Sequence, residues 1–151
     1  MNQEIEEIFR VCDILIENAK IDYKDWIEQK IDETFFKDYA NTRIVNSFLF
    51  NFSKLQDKIG AKLFRKVLYE AKEIDSLALS MIDILNILEK LEIIENKALW
   101  DELREIRNSL AHEYPYSLDE RVENILLALD SFKELESIYK KLKEFSFYAL
   151  K

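Results

Sequence analysis

Residues 96–138 read NKALWDELREIRNSLAHEYPYSLDERVENILLALDSFKELESI and hold the only histidine and the only proline of the chain. Asn96 is a residue type that caps helices, and Trp100, Leu103, Ile106 and Leu110 follow it at three- and four-residue spacing. Pro115 ends that helix, because proline disfavours helical geometry in the residue before it. Ser117 with Glu120 then makes a capping box, and Val122, Ile125, Leu126, Leu129, Phe132, Leu135 and Ile138 carry a long final helix. The pattern predicts two helices joined through Tyr114-Pro115-Tyr116 as a tight antiparallel hairpin.

The same periodicity runs upstream. Ile5, Ile8, Phe9, Cys12, Leu15 and Ile16 stripe a first helix from Met1 to about Lys20, and Tyr23, Trp26, Ile27 and Ile31 keep the helical period beyond it. Val45, Phe48, Leu49, Phe52, Leu55 and Ile59 give a long core-facing helix over 34–59, with Gly60 as the expected stop or kink. Leu63, Phe64, Val67, Leu68 and Ala71 form a further stretch over 61–74, and Ser80 followed by Asp83 opens another helix through Leu85, Leu88 and Leu91. With one glycine and one proline, the chain lacks the punctuation that sheets need at their turns. The expected fold is all-α, an antiparallel helical bundle of about five helices. The expected organisation is a single domain over residues 1–151, with no linker or repeat.

Asp and Glu number 30 against 22 Lys and Arg, a formal charge of −8 that opposes general nucleic-acid binding. Any site for RNA must therefore be a local basic patch on an acidic body. Cys12 is the only cysteine, so no intramolecular disulfide can form, and with no signal peptide or membrane-length apolar run a cytoplasmic location is expected.

The chemistry concentrates on the helix before Pro115. Taking Arg107 as zero at roughly 100° per residue, Ala111 falls near about 40°, Arg104 about 60°, Asn108 about 100° and His112 about 140°. A polar, partly basic strip thus runs beside the core strip. Arg107 offers a fork of donors suited to phosphate, and Asn108 sits four residues from His112, within reach of its imidazole. His112 is the side chain best suited to exchanging protons near neutrality. Arginine, histidine and a polar helper suffice for RNA cleavage without metal, because the ribose 2′-hydroxyl is itself the nucleophile. Each chain supplies one histidine where the reaction uses a base and an acid, so a symmetric homodimer that pairs two strips is expected. The motif helix shows only Arg104 and Arg107 as cations near the strip, beside Asp101, Glu102, Glu105 and Glu113.

The string Arg107-Asn108-Ser109-Leu110-Ala111-His112-Glu113-Tyr114 resembles the R-x-x-x-x-H-x-Y signature of HEPN proteins, in particular the HepT-like toxins. The resemblance rests on about ten residues near the end of a penultimate helix. It implies a HEPN-like bundle that dimerises around a shared cleft and acts as a metal-independent endoribonuclease of a toxin-antitoxin system. Arg107 would bind phosphate, His112 would act as acid or base and Asn108 would support both; outside the matched motif, Arg104 is expected to add charge beside them. The implied partners are RNA, with transfer and messenger RNA as candidate targets, and a minimal nucleotidyltransferase antitoxin that adenylylates Tyr114. No cofactor or metal is implied. A second reading is a non-catalytic nucleotidyltransferase-partner or nucleotide-binding module, and a third is a bundle in which the motif only ties helices together.

Overall fold

The structure is a computed structural model that describes residues 2–32, 34–111 and 118–150, with 110 and 111 in backbone alone. All regular elements among the described residues are helical. They are α1 (Gln3–Ile27), α2 (Tyr39–Lys58), α3 (Phe64–Glu70), α4 (Met81–Lys90), α5 (Lys97–Ala111) and α6 (Leu118–Ala149).

Helix α1 runs past Lys20 to Ile27, because Trp26 keeps the apolar stripe and is fully buried against Phe48 and Phe35. Its start is capped by Asn2, whose side chain accepts from the Ile5 N–H. Helix α2 begins at Tyr39 and not at residue 34, since a short 3₁₀ turn over Phe35–Lys37 intervenes and Asp38 caps the first turn by accepting from the Ala40 N–H. Ser80 and Asn96 cap α4 and α5 as their spacing predicts, accepting from the N–H groups of Asp83 and Leu99.

Gly60 does not break the helical backbone, but the regular α-helical pattern gives way there. The backbone continues from α2 into α3 through a π turn over Ile59–Leu63, closed by the Phe64 N–H on the Ile59 carbonyl, so α2 and α3 form one rod. The glycine serves a close approach: a Cβ built there would lie 2.7 Å from Cζ2 of Trp100. Trp100 is fully buried and packs edge-on against Phe64 with ring centroids 4.7 Å apart.

Pairwise contacts fix the directions. Asn2 meets Glu70, Glu4 meets Lys66 and Asp22 meets Ser47, so α1 lies antiparallel to the whole rod. Trp100 against Phe64 and Arg107 against Asp57 run α5 antiparallel to the rod as well. Phe9 with Tyr139 and Tyr23 with Phe132 lay α6 antiparallel to α1, and Phe132 also reaches Phe48 of α2. One continuous apolar core results, centred on Phe48, Phe52, Phe64, Trp26 and Trp100. Leu126 points outward, while Ala128, Tyr139 and Leu142 join the buried face of α6.

The hairpin predicted through Tyr114, Pro115 and Tyr116, with Ser117 as cap, lies outside the described residues. Helices α5 and α6 end and begin on either side of that segment.

Candidate functional site

The register of α5 on the α2–α3 rod builds the site. Arg107 lies two turns beyond Trp100 on the same face, and Asp57 lies about two turns before Phe64, so packing Trp100 on Phe64 brings the two charges together. The guanidinium meets the carboxylate fork to fork, Nε to Oδ1 at 2.8 Å and Nη2 to Oδ2 at 2.9 Å. The Asp57 carboxylate raises the Arg107 pKa further above its ordinary value. Two of the five N–H donors of Arg107 are thereby used, and those on Nη1 meet no acceptor among the described residues.

The pair is not sealed in the core. Side-chain exposure is 29% for Arg107 and 40% for Asp57, and both line a groove of about 320 Å³ between α2 and α5. Asn46, Phe50, Ser53 and Lys54 of α2 form its other wall. Phe50 is 59% exposed, and the Lys54 ammonium sits 5.7 Å from its ring centroid.

The other predicted residues divide in two groups. Arg104 and Asn108 are exposed on the α5 strip that flanks Arg107, as their spacing requires. Arg104 approaches Asp101 at 3.6 Å, but both side chains are more than half exposed, so solvent screens the pair and the guanidinium can exchange partners. His112 and Tyr114 lie outside the described residues, as do Tyr116 and Glu113. Asp57 escaped sequence reasoning because its partner is fifty positions away. A usable signal existed: it is the one carboxylate in α2, at the end of a helix that carries Arg43, Lys54 and Lys58.

The opposite side of α5 has a different character. Glu102, Glu105 and Ser109 face Asn124 and Leu127 of α6 across a groove of about 300 Å³, an acidic wall unsuited to a polyanion. Elsewhere, Asp13 on α1 accepts from the Tyr139 hydroxyl at 2.7 Å and from Lys143 Nζ at 2.8 and 2.9 Å, which ties α1 to α6. Burial pushes the neighbouring Cys12 thiol up to about 12, which removes it from nucleophilic chemistry near neutrality. Among the described residues no cluster of His, Cys, Asp or Glu has the composition of a metal site, and no helix is long and apolar enough to cross a membrane.

No protein family, curated protein or solved structure matches the chain.

Proposed function

We propose that the protein is a HEPN-type ribonuclease toxin that cleaves RNA without metal at a cleft shared by two copies. The observation that carries the reading is Arg107 at the wall of a groove, held by Asp57, with Nη1 meeting no acceptor among the described residues, and flanked by Arg104 and Asn108. A guanidinium fixed in this way has its orientation decided before substrate arrives, so little rotamer entropy is lost when it meets a phosphate.

In the proposed reaction one His112 takes the proton of the ribose 2′-hydroxyl, whose oxygen attacks the adjacent phosphorus. Arg107 stabilises the charge that builds on the non-bridging oxygens, and Asn108 orients the imidazole four residues on. The bond to the 5′-oxygen breaks, and the second copy's histidine supplies the proton that this oxygen takes up. The products are a 2′,3′-cyclic phosphate and a 5′-hydroxyl end. A minimal nucleotidyltransferase antitoxin would silence the enzyme by moving AMP onto Tyr114, adding bulk and negative charge beside the phosphate site.

A second reading takes its support from the same ion pair. With Asp57 holding its fork, Arg107 also ties α5 to α2, as expected of a bundle in which the motif only ties helices together. One experiment separates the two: unmodified protein, His112→Ala and Arg107→Ala are each incubated with total and transfer RNA in EDTA, and product ends are mapped. Cleavage by wild type alone, with cyclic phosphate ends, is the expected result. Equal cleavage by wild type and His112→Ala, or no cleavage by protein of verified unmodified mass, overturns the nuclease reading.

A further inference from the structure

Helix α2 departs from the charge of the molecule. In a chain with 30 acidic and 22 basic residues, α2 has one carboxylate, Asp57, and that carboxylate is neutralised by Arg107. Its cations Arg43 and Lys54 are exposed and make no ion pair with any carboxylate among the described residues. Some basic groups elsewhere are paired, as Lys20 is with Glu136, Lys66 with Glu4 and Lys143 with Asp13, while others, Lys62 and Lys90 among them, meet no carboxylate among the described residues, so it is the scarcity of acid along this long helix that sets α2 apart.

The cations share their face with exposed aromatics. On a helical wheel Tyr39, Arg43, Asn46, Phe50 and Lys54 fall within a sector of about 80–100°, and this sector ends at the groove that holds Arg107. Tyr39 is 75% exposed and Phe50 59%, and they stand about 16 Å apart along the axis. Phe50 is thus an exposed ring with an ammonium 5.7 Å from its centroid. Alternating cations and rings match a flexible polyanion whose bases are free to stack, because every base has a π-face and every linkage a charge. A duplex hides its bases and would leave the rings unused.

We propose that the outward face of α2 is a binding track for single-stranded RNA, with Phe50 and Tyr39 stacking on bases, Arg43 and Lys54 meeting phosphates, and the strand leading to Arg107. The proposal rests on the ribonuclease reading and names the form of RNA that the site takes.

The test uses the His112→Ala protein, so that binding is measured without cleavage, and a labelled oligouridylate of about twelve nucleotides followed by fluorescence anisotropy at several salt concentrations. Adding Arg43→Ala and Lys54→Ala should weaken binding at least about tenfold and flatten the slope of log affinity against log salt by about 1.4, some 0.7 for each lost phosphate contact. Phe50→Ala should weaken binding about tenfold and Phe50→Tyr should not, while Lys62→Ala and Lys90→Ala, exposed cations of other faces, should leave it unchanged. Undiminished binding by the Arg43, Lys54 and Phe50 variants overturns the track and leaves the nuclease reading standing if wild type cuts RNA. Absence of binding in a wild type that also fails to cut removes both. Light scattering on the same samples adds one more arm: if Phe50→Ala turns a dimer into monomers with unchanged RNA affinity per chain, a second copy covers this face and the track is wrong.

Discussion

Arg107 and Asp57 meet as a bidentate pair that is part-buried on one side and open to a groove on the other. Solvent screening limits its worth to the fold to about 1 kcal/mol, so neither Arg107→Ala nor Asp57→Ala should unfold the protein. A charge swap then separates tying from catalysis. Placing arginine at 57 and aspartate at 107 restores the attraction between α2 and α5 but moves the guanidinium to the wrong helix. Urea titration of the single changes Asp57→Arg and Arg107→Asp should show losses of about 1–2 kcal/mol, in part recovered in the double variant, because each single change sets like charges face to face. RNA cleavage should stay absent in the double variant; its return would make Arg107 a structural tie. Arg107 was legible in the sequence because its neighbours form a short motif, and Asp57 was not, because ion pairs across helices leave no local pattern.

At the scale of elements the apolar period and the N-terminal caps carried most of the fold, and the C-terminal ends did not show. Ser80 and Asn96 act through side chains that a sequence displays. The ends of α3 and α4 are made by backbone: Lys72 and Glu92 take left-handed φ of 62° and 59°, and the N–H groups of Glu73 and Ile93 return to the carbonyls of Leu68 and Leu88 at 2.9 Å. Glycine ordinarily marks that position, and this chain spends its single glycine elsewhere. Glu92→Gly should therefore stabilise the protein by about 0.5–1 kcal/mol in a urea titration, since it removes the Cβ strain of the left-handed conformation at an exposed site. Gly60→Ala should do the reverse. Alanine would gain about 1 kcal/mol of helix propensity, but its Cβ meets the buried ring of Trp100 at 2.7 Å, and over-packing of this kind costs about 1–3 kcal/mol. A net loss of about 1 kcal/mol is expected, and a more stable Gly60→Ala protein would mean that Trp100 can shift off the π turn.

For the whole molecule, the α1–α6 seam links the fold to pH through two protons that the folded chain will not release. Burial pushes Cys12 up to about 12, and burial, with the Asp13 carboxylate second, pushes the Tyr139 hydroxyl well above its ordinary range. Below about pH 7.5 both groups are protonated in the folded and the unfolded chain, and neither affects stability. Above it the unfolded chain releases the Cys12 proton while the folded chain keeps it, so the folded state binds more protons and stability falls as pH rises. One such group contributes a fall of about 1.4 kcal/mol per pH unit at full slope, and Tyr139 joins above about pH 10. Cys12→Ala isolates its share: the variant gives up packing at every pH, but its loss of stability between pH 7.5 and 10.5 should be smaller than that of wild type by about 2 kcal/mol in urea titrations. Equal declines in the two proteins would show that the thiol ionises in place, and with it that water reaches the seam between α1 and α6. The same seam makes a kinetic forecast that needs no titration, because a thiol held neutral is a poor nucleophile and Cys12 should react with an aromatic disulfide at pH 8 only as fast as the chain opens.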